Sequence, residues 1–244
     1  MNIVEAPAAT PHAYGLFSAL TFRSTGDRWD TGVGWQMTSL PQPGVVGGDI
    51  CQPVEVSGGK VSRDTVTADP FWVYASAECG GLMADRDVAV QALAAAEQVG
   101  VEEQVAKSLA GQPPSLTAGW GEVLGQAELD MVQKTGGIGV LHMSRALSYA
   151  GLAKGYLVTS GQRLQTALGT PVVAGVGYHS ALGNTVVATS GIVAYRSDLV
   201  VLDDVMDLAN NNRTDMAQRG YLIGFTVAGR WGVTTNPTSP AQGD

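Results

Sequence analysis

From Asp85 to Ala110 the chain carries one long helical pattern, and the residues ahead of it carry nothing comparable. Val90, Leu93, Glu97, Val101, Val105 and Leu109 recur at spacings of three and four, which places one mostly apolar stripe on a single helix face. Asp85 is positioned to cap the orphan N–H groups of the first turn. Gly111, Pro113 and Pro114 stop the helix. Glu97 and Gly100 interrupt the stripe. The first seventy residues are rich in Gly, Pro, Thr and Asp, with Trp29 and Trp35 as isolated large anchors, and read as an arm plus a long excursion. Within them, Asp49 to Val56 and Val61 to Ala68 flank Ser57-Gly58-Gly59-Lys60 and predict a two-stranded hairpin. Such a hairpin is marginal alone and needs a support, for which a neighbouring subunit is a candidate.

Phe71 to Ala77 is an apolar, aromatic run leading toward the helix. Beyond the helix, a second one is predicted over Gly121 to Lys134, turning Val123, Leu124, Ala127, Met131 and Val132 to the core. A strand over Ile138 to Met143 follows, then a short helix from Ser144, as its N-cap, to Lys154. Short Gly-punctuated runs predict strands at Gln162 to Leu168, Pro171 to Val176, Thr185 to Thr189 and Ile192 to Tyr195. Asp198 to Val205 reads as a strand and Met206 to Asp215 as a polar loop. Arg219 to Val233 reads as one longer strand, with Tyr221, Ile223, Phe225 and Val227 on one face and Leu222 and Ala228 on the other. The Pro-, Thr- and Ser-rich tail from Thr234 to Asp244 is expected to be mobile. The whole is an α+β pattern.

Composition narrows the function classes. Only 15% of the residues are charged while 45% are hydrophobic, against about a quarter charged in ordinary soluble domains, so much of the surface is expected to be covered by other chains. The net charge is −8, and the 14 Lys and Arg residues are scattered. Phosphate binding needs concentrated positive charge, so sequence-specific nucleic-acid binding is not expected. Cys51 and Cys79 have no CxxC partner and read as free, partly buried thiols of a reducing compartment. No secretory signal and no membrane span is evident, which points to the cytoplasm or a particle assembled there.

No motif carries chemistry, and no catalytic residue, cofactor site or metal site is assigned. His12, His142 and His179 each stand alone, and His142 on its apolar run reads as a hydrogen-bonded core or interface histidine. Gly175-Val176-Gly177-Tyr178-His179-Ser180 lacks the third glycine and the acidic residue of a dinucleotide fingerprint. Asp203, Asp204 and Asp207 lack EF-hand spacing and read as a solvated loop flank or a salt-bridge partner for a neighbouring chain. The sequon Asn212-Arg213-Thr214 has no signal peptide to make it relevant.

The order of these parts resembles the Hong Kong 97 fold of tailed-phage major capsid proteins, shared with encapsulins. Phe71-Trp72-Val73-Tyr74-Ala75-Ser76 before the long helix and Leu168-Gly169-Thr170-Pro171-Val172-Val173 after a strand and short helix carry the likeness best. The resemblance implies an N-terminal arm (1–30) and an extended hairpin loop (31–70). It implies a peripheral domain with a spine helix (71–135) and a mixed α/β axial domain (136–196). A peripheral loop with long strands (197–233) and a tail (234–244) complete it. It also implies a shell-forming homo-oligomer of hexamers and pentamers, built in the host cytoplasm, that encloses double-stranded DNA. Portal, scaffold and decoration proteins are the partners it implies, with no membrane. Inter-subunit contacts are expected at Lys60, Phe71, Trp72, Asn210, Asn211 and Asn212. Lys60 and the asparagine run match by position the lysine and asparagine that some members crosslink, but no glutamate follows Glu128, so these six are read as ordinary contacts. An encapsulin-like compartment, a specialised penton subunit and an uncharacterised α/β enzyme around His142, His179 and Asp198 are the alternatives. The enzyme would form a small discrete oligomer.

Overall fold

The computed structural model describes residues 12–23, 29, 32–38, 63–78, 85–207 and 212–234. In chain order the elements are α1 (Leu16–Ala19), β1 (Val33–Thr38), β2 (Arg63–Ala68), β3 (Phe71–Glu78), α2 (Asp85–Leu109) and β4 (Leu116–Ala118). Then come α3 (Trp120–Thr135), β5 (Val140–Ser144), α4 (Arg145–Ala153), β6 (Leu157–Ser160), β7 (Arg163–Thr166) and β8 (Pro171–Gly175). The last are α5 (His179–Leu182), β9 (Thr185–Thr189), β10 (Val193–Arg196), β11 (Val200–Asp207), β12 (Asn212–Gly224) and β13 (Val227–Val233).

The long helix is as expected, with Asp85 as its first residue rather than its cap. At about 1.5 Å per residue it is roughly 37 Å long. Val101, Val105 and Leu109 are buried, as are Ala89 and Leu93 nearer its start. Its last turn is closed by Arg230, whose Nε donates to Leu109 O at 2.6 Å and satisfies a carbonyl the helix cannot pair itself.

Two larger sheets flank this helix. In the first, β12 is central: β3 pairs along one edge, while β11 and then β10 pair along the other, all antiparallel. Ala89 and Leu93 meet Ala217 with Val73, Ala75 and Ala77, small side chains that let helix and sheet come close. The second sheet has the order β4-β13-β9-β5-β8-β7-β6, with parallel pairs at β4/β13 and β5/β8. Its central strands β5, β8 and β9 alternate. Leu141, Met143, Val172, Ala174, Val186 and Ala188 face α3 and α4, while Val140, Val173 and Val187 face the C-terminal half of α2. A third, two-stranded ribbon joins β1 and β2.

Several sequence expectations change. The predicted strand 219–233 is two strands in different sheets, broken at Phe225-Thr226. Both faces are buried as anticipated, but in separate cores: Ile223 and Tyr221 in one, Leu222 in another, Ala228 in a third. The loop predicted over 206–215 is in part strand: its first two residues end β11 and its last four open β12. Asp203 is on β11, and it pairs with Arg86 of its own chain at 3.7 Å. Val132 is 39% exposed, on the outer side of α3, rather than in the core. Ile138 lies outside β5 and is exposed. The strand β6 was missed; its Leu157 is the one buried residue in an otherwise exposed run. Arg63–Ala68 pairs with Val33–Thr38. The stretch 39–62, with the turn at Ser57–Lys60 and Cys51, lies outside the described residues, as do Cys79 and 235–244.

Candidate functional site

The helix α2 reaches both sheets, and its polar residues form the joint between them. Glu97, an apparent blemish on the apolar stripe, accepts from Arg219 Nη1 at 2.8 Å and from the Tyr221 hydroxyl, tying the helix to β12. Burial works against the Arg219 guanidinium, but the Glu97 carboxylate beside it prevails and raises its pKa. Burial first, and Glu97 second, push the Tyr221 hydroxyl up, so it stays a donor.

One turn further on, Glu102 is fully buried and was not anticipated from sequence. Its carboxylate accepts from Leu16 N–H (2.9 Å), Gly177 N–H (3.0 Å), His12 Nε2 (3.0 Å) and Gln98 Nε2 (3.2 Å). A buried carboxylate without such donors would be strongly unfavourable. Three distant segments therefore converge on one side chain: residues 12–16, α2 and the loop after β8. Glycine is required at 177, because a Cβ there would stand 2.7 Å from Val99 O. His12 is accordingly not isolated.

His142 is the core histidine anticipated. Thr189 Oγ1 donates to Ser190 O at 3.0 Å, which leaves it to accept from His142 Nε2–H, also at 3.0 Å. The Tyr178 hydroxyl then donates to Nδ1 at 3.1 Å. Burial lowers the His142 pKa to about 3, so the ring is neutral near pH 7. Burial, with the Glu102 charge second, raises the Tyr178 pKa. His179 is exposed on α5, remote in role from this chain of bonds. Among the described residues no three His, Cys, Asp or Glu side chains cluster to hold a metal ion, and no helix is long and apolar enough to cross a membrane.

The surface facing away from α2 is different. Trp72 is 51% and Tyr74 64% exposed on β3. Pairing sets them beside Gly220 and Gln218 of β12, and Val200 of β11 is opposite Gln218 in turn. With the exposed Leu202, they form an apolar face on the four-stranded sheet. Phe71 turns the other way and stacks on Tyr221 of its own chain at 5.9 Å. Asn212 opens β12 opposite Asp207, while Lys60, Asn210 and Asn211 lie outside the described residues.

Solved structures share this architecture almost end to end. One from Mycobacterium phage Cain matches with a TM-score of 0.55 over 97% of this chain and 96% of its own, at 14% identity. The capsid of Ralstonia phage GP4 matches at 0.54 over 98% and 96%, at 12% identity. The capsid of the native GTA particle matches at 0.52 over 96% and 93%, at 10% identity. The chain has a tailed-phage capsid fold. No protein-family model matches it, and no curated protein does. The likeness is one of backbone path, held at identities of 10–14%, which is how a fold defined by packing pattern rather than by a reactive motif persists.

Proposed function

We propose that this chain is the major capsid protein of a bacteriophage, a structural subunit rather than an enzyme, which assembles into an icosahedral shell around double-stranded DNA. The observation that carries the reading is the end-to-end match to chains of phage and GTA capsids, spanning 96–98% of this sequence. In this reading α2 is the spine helix, and α2 with the four-stranded sheet forms the peripheral domain (71–135 and 197–233). The strands β5 to β9 of the seven-stranded sheet, with α4, belong to the axial domain (136–196), while α3, β4 and β13 reach them from the peripheral ranges. The ribbon β1–β2 is the root of the extended loop (31–70), which follows the arm (1–30). Residues 234–244 are the tail.

The work of such a subunit is geometric. A limb with few contacts of its own gains them on an adjacent copy, and repetition of that contact in hexamers and pentamers closes the shell. The Trp72–Tyr74 face of the peripheral sheet is the surface offered to the neighbour. Phe71 supports it from beneath, and Lys60 and Asn210–Asn212 are polar contacts at the loop ends. The acidic chain encloses DNA without reading its sequence. Portal, scaffold and decoration proteins are its further partners, the host cytoplasm its place of assembly and the virion capsid its final location. Negative-stain microscopy of the purified protein tests this directly: closed, uniform shells are expected, and a small monodisperse oligomer at every concentration would refute it. Trp72→Asp should abolish shells while leaving the subunit's circular dichroism unchanged.

A further inference from the structure

The ribbon β1–β2 meets the body in an unusual manner. Two tryptophans rest on glycines of β12. Gly220 and Gly224 lie four residues apart and so on the same face of that strand. Trp29 is buried, stacks on Tyr195 with ring centroids 6.3 Å apart, and lies over Gly220, where a Cβ would stand 3.0 Å from its Cη2. Trp35, on the ribbon itself, covers Gly224 more tightly. A Cβ there would stand 2.5 Å from Trp35 Cζ3, closer still to Cη2, and 3.2 Å from the Ala68 Cβ. Beside this contact a cleft of about 300 Å³ opens between Thr67–Phe71, the α2 residues Gln104, Val105 and Ser108, and the stretch Ile223–Phe225, so that Gly224 borders both the indole and the cleft.

A ribbon seated on bare backbone at 224, next to an open cleft, has its direction set by that seat. We infer that Gly224 and Trp35 are positioning residues: the indole seated on the bare backbone at 224 fixes the angle at which the ribbon leaves the body and holds the cleft open. Sterics decide this. Any side chain at 224 occupies the space of the indole ring, and cores transmit such a displacement instead of absorbing it. The backbone at the ribbon root has freedom to respond, since Gly32 is at φ +94° beside Ala68 O. In the shell reading this angle decides whether the limb reaches its place on the next copy. The consequence for shells rests on that reading, while the geometry of the subunit does not.

The test measures the cleft in the unassembled subunit. Spin labels on Thr67→Cys and Ser108→Cys, in a chain with Cys51→Ser and Cys79→Ser, report the width of the cleft as an electron–electron distance distribution. One narrow population is expected in the parent chain. Gly224→Ala should shift and broaden it, as should Trp35→Ala. The double variant should match Trp35→Ala alone, because seat and indole act through one contact. If Gly224→Ala does not fold, adding Trp35→Ala should restore folding by removing the ring that clashes. A folded Gly224→Ala with an unchanged distribution, a double variant whose effects add, or a failure to restore folding would each overturn the inference. Particle counts separate the two proposals: with the distance result as expected but no shells from the parent chain, the positioning role stands and the capsid reading fails.

Discussion

The two faces of the seven-stranded sheet solve the same burial problem in different ways. Toward α3 and α4 the interface is mainly apolar: Leu141, Met143, Val172, Ala174, Val186 and Ala188 lie under Trp120, Val123, Ala127, Met131 and Leu147, with Glu128 accepting from the Thr166 and Thr170 hydroxyls beside them. Toward α2 the same strands contribute Val140, Val173 and Val187, but His142 and Thr189 sit among them, and Glu102 and Tyr178 close over the top. The helices covering the first face adjoin β5 in sequence. The second face is covered by α2, by residues 12–22 and by the loop after β8, which approach from far apart along the chain. Apolar contact is non-directional and tolerates small slides. Hydrogen bonds to a buried group do not, because a lost partner leaves a desolvated polar atom. The directional bonds stand where distant segments must be held in one register.

The largest effect should come from the dry face. Trp231→Ala empties a fully buried site in that core, and urea unfolding of the unassembled subunit should show a loss of about 3–5 kcal/mol, independent of pH. A loss that grew as pH fell would break the contrast between the faces.

The wet face should show its character through pH. The His142 pKa is about 3 in the folded chain against 6.5 for an unperturbed histidine. Below pH 6.5 the unfolded chain takes up a proton that the folded one refuses, so stability is full above 6.5 and falls as pH drops toward 3. The slope is about 1.4 kcal/mol per pH unit, and about 2–3 kcal/mol should be gone by pH 4.5. Relative to its own value at pH 7, His142→Gln should lose less over that range; an identical pH profile would remove His142 as the cause.

A smaller change should follow Glu102→Gln, which keeps the shape but turns an N–H toward groups that already donate. A cost of about 1–3 kcal/mol is expected, with faster hydrogen exchange at the Leu16 and Gly177 amides and no change in α3. Uniform loss of protection across both faces would show that the joint is not local. Smallest is Ser144→Ala. Ser144 Oγ accepts from Leu147 N–H at 3.2 Å and caps α4, and its loss should cost about 1 kcal/mol, read from the shift in urea midpoint.

Much of the local structure could be read from the residues. The period of three and four from Val90 to Leu109, the Ser144 cap, and the alternation through Tyr221 and Ile223 all express backbone geometry acting over a few residues. Trp29 and Trp35 were visible as anchors, though not what they rest on. Glu97 left a trace as a carboxylate on an apolar stripe. Glu102 left less: it stands beside Val101, one turn after Gln98, and a sequence cannot tell such a pair from a solvated helix flank.

The periods of helix and strand, the apolar stripes and the caps followed from the order of the amino acids, because each depends on sterics and solvation within one or two turns. Tertiary packing decided that the run through Phe225 and Thr226 divides between two sheets. It also decided that β2 pairs with residues 33–38, and that a carboxylate at 102 gathers three segments. Those outcomes depend on which groups arrive from elsewhere to exclude water and complete hydrogen bonds, and a residue's neighbours in sequence do not specify its neighbours in space.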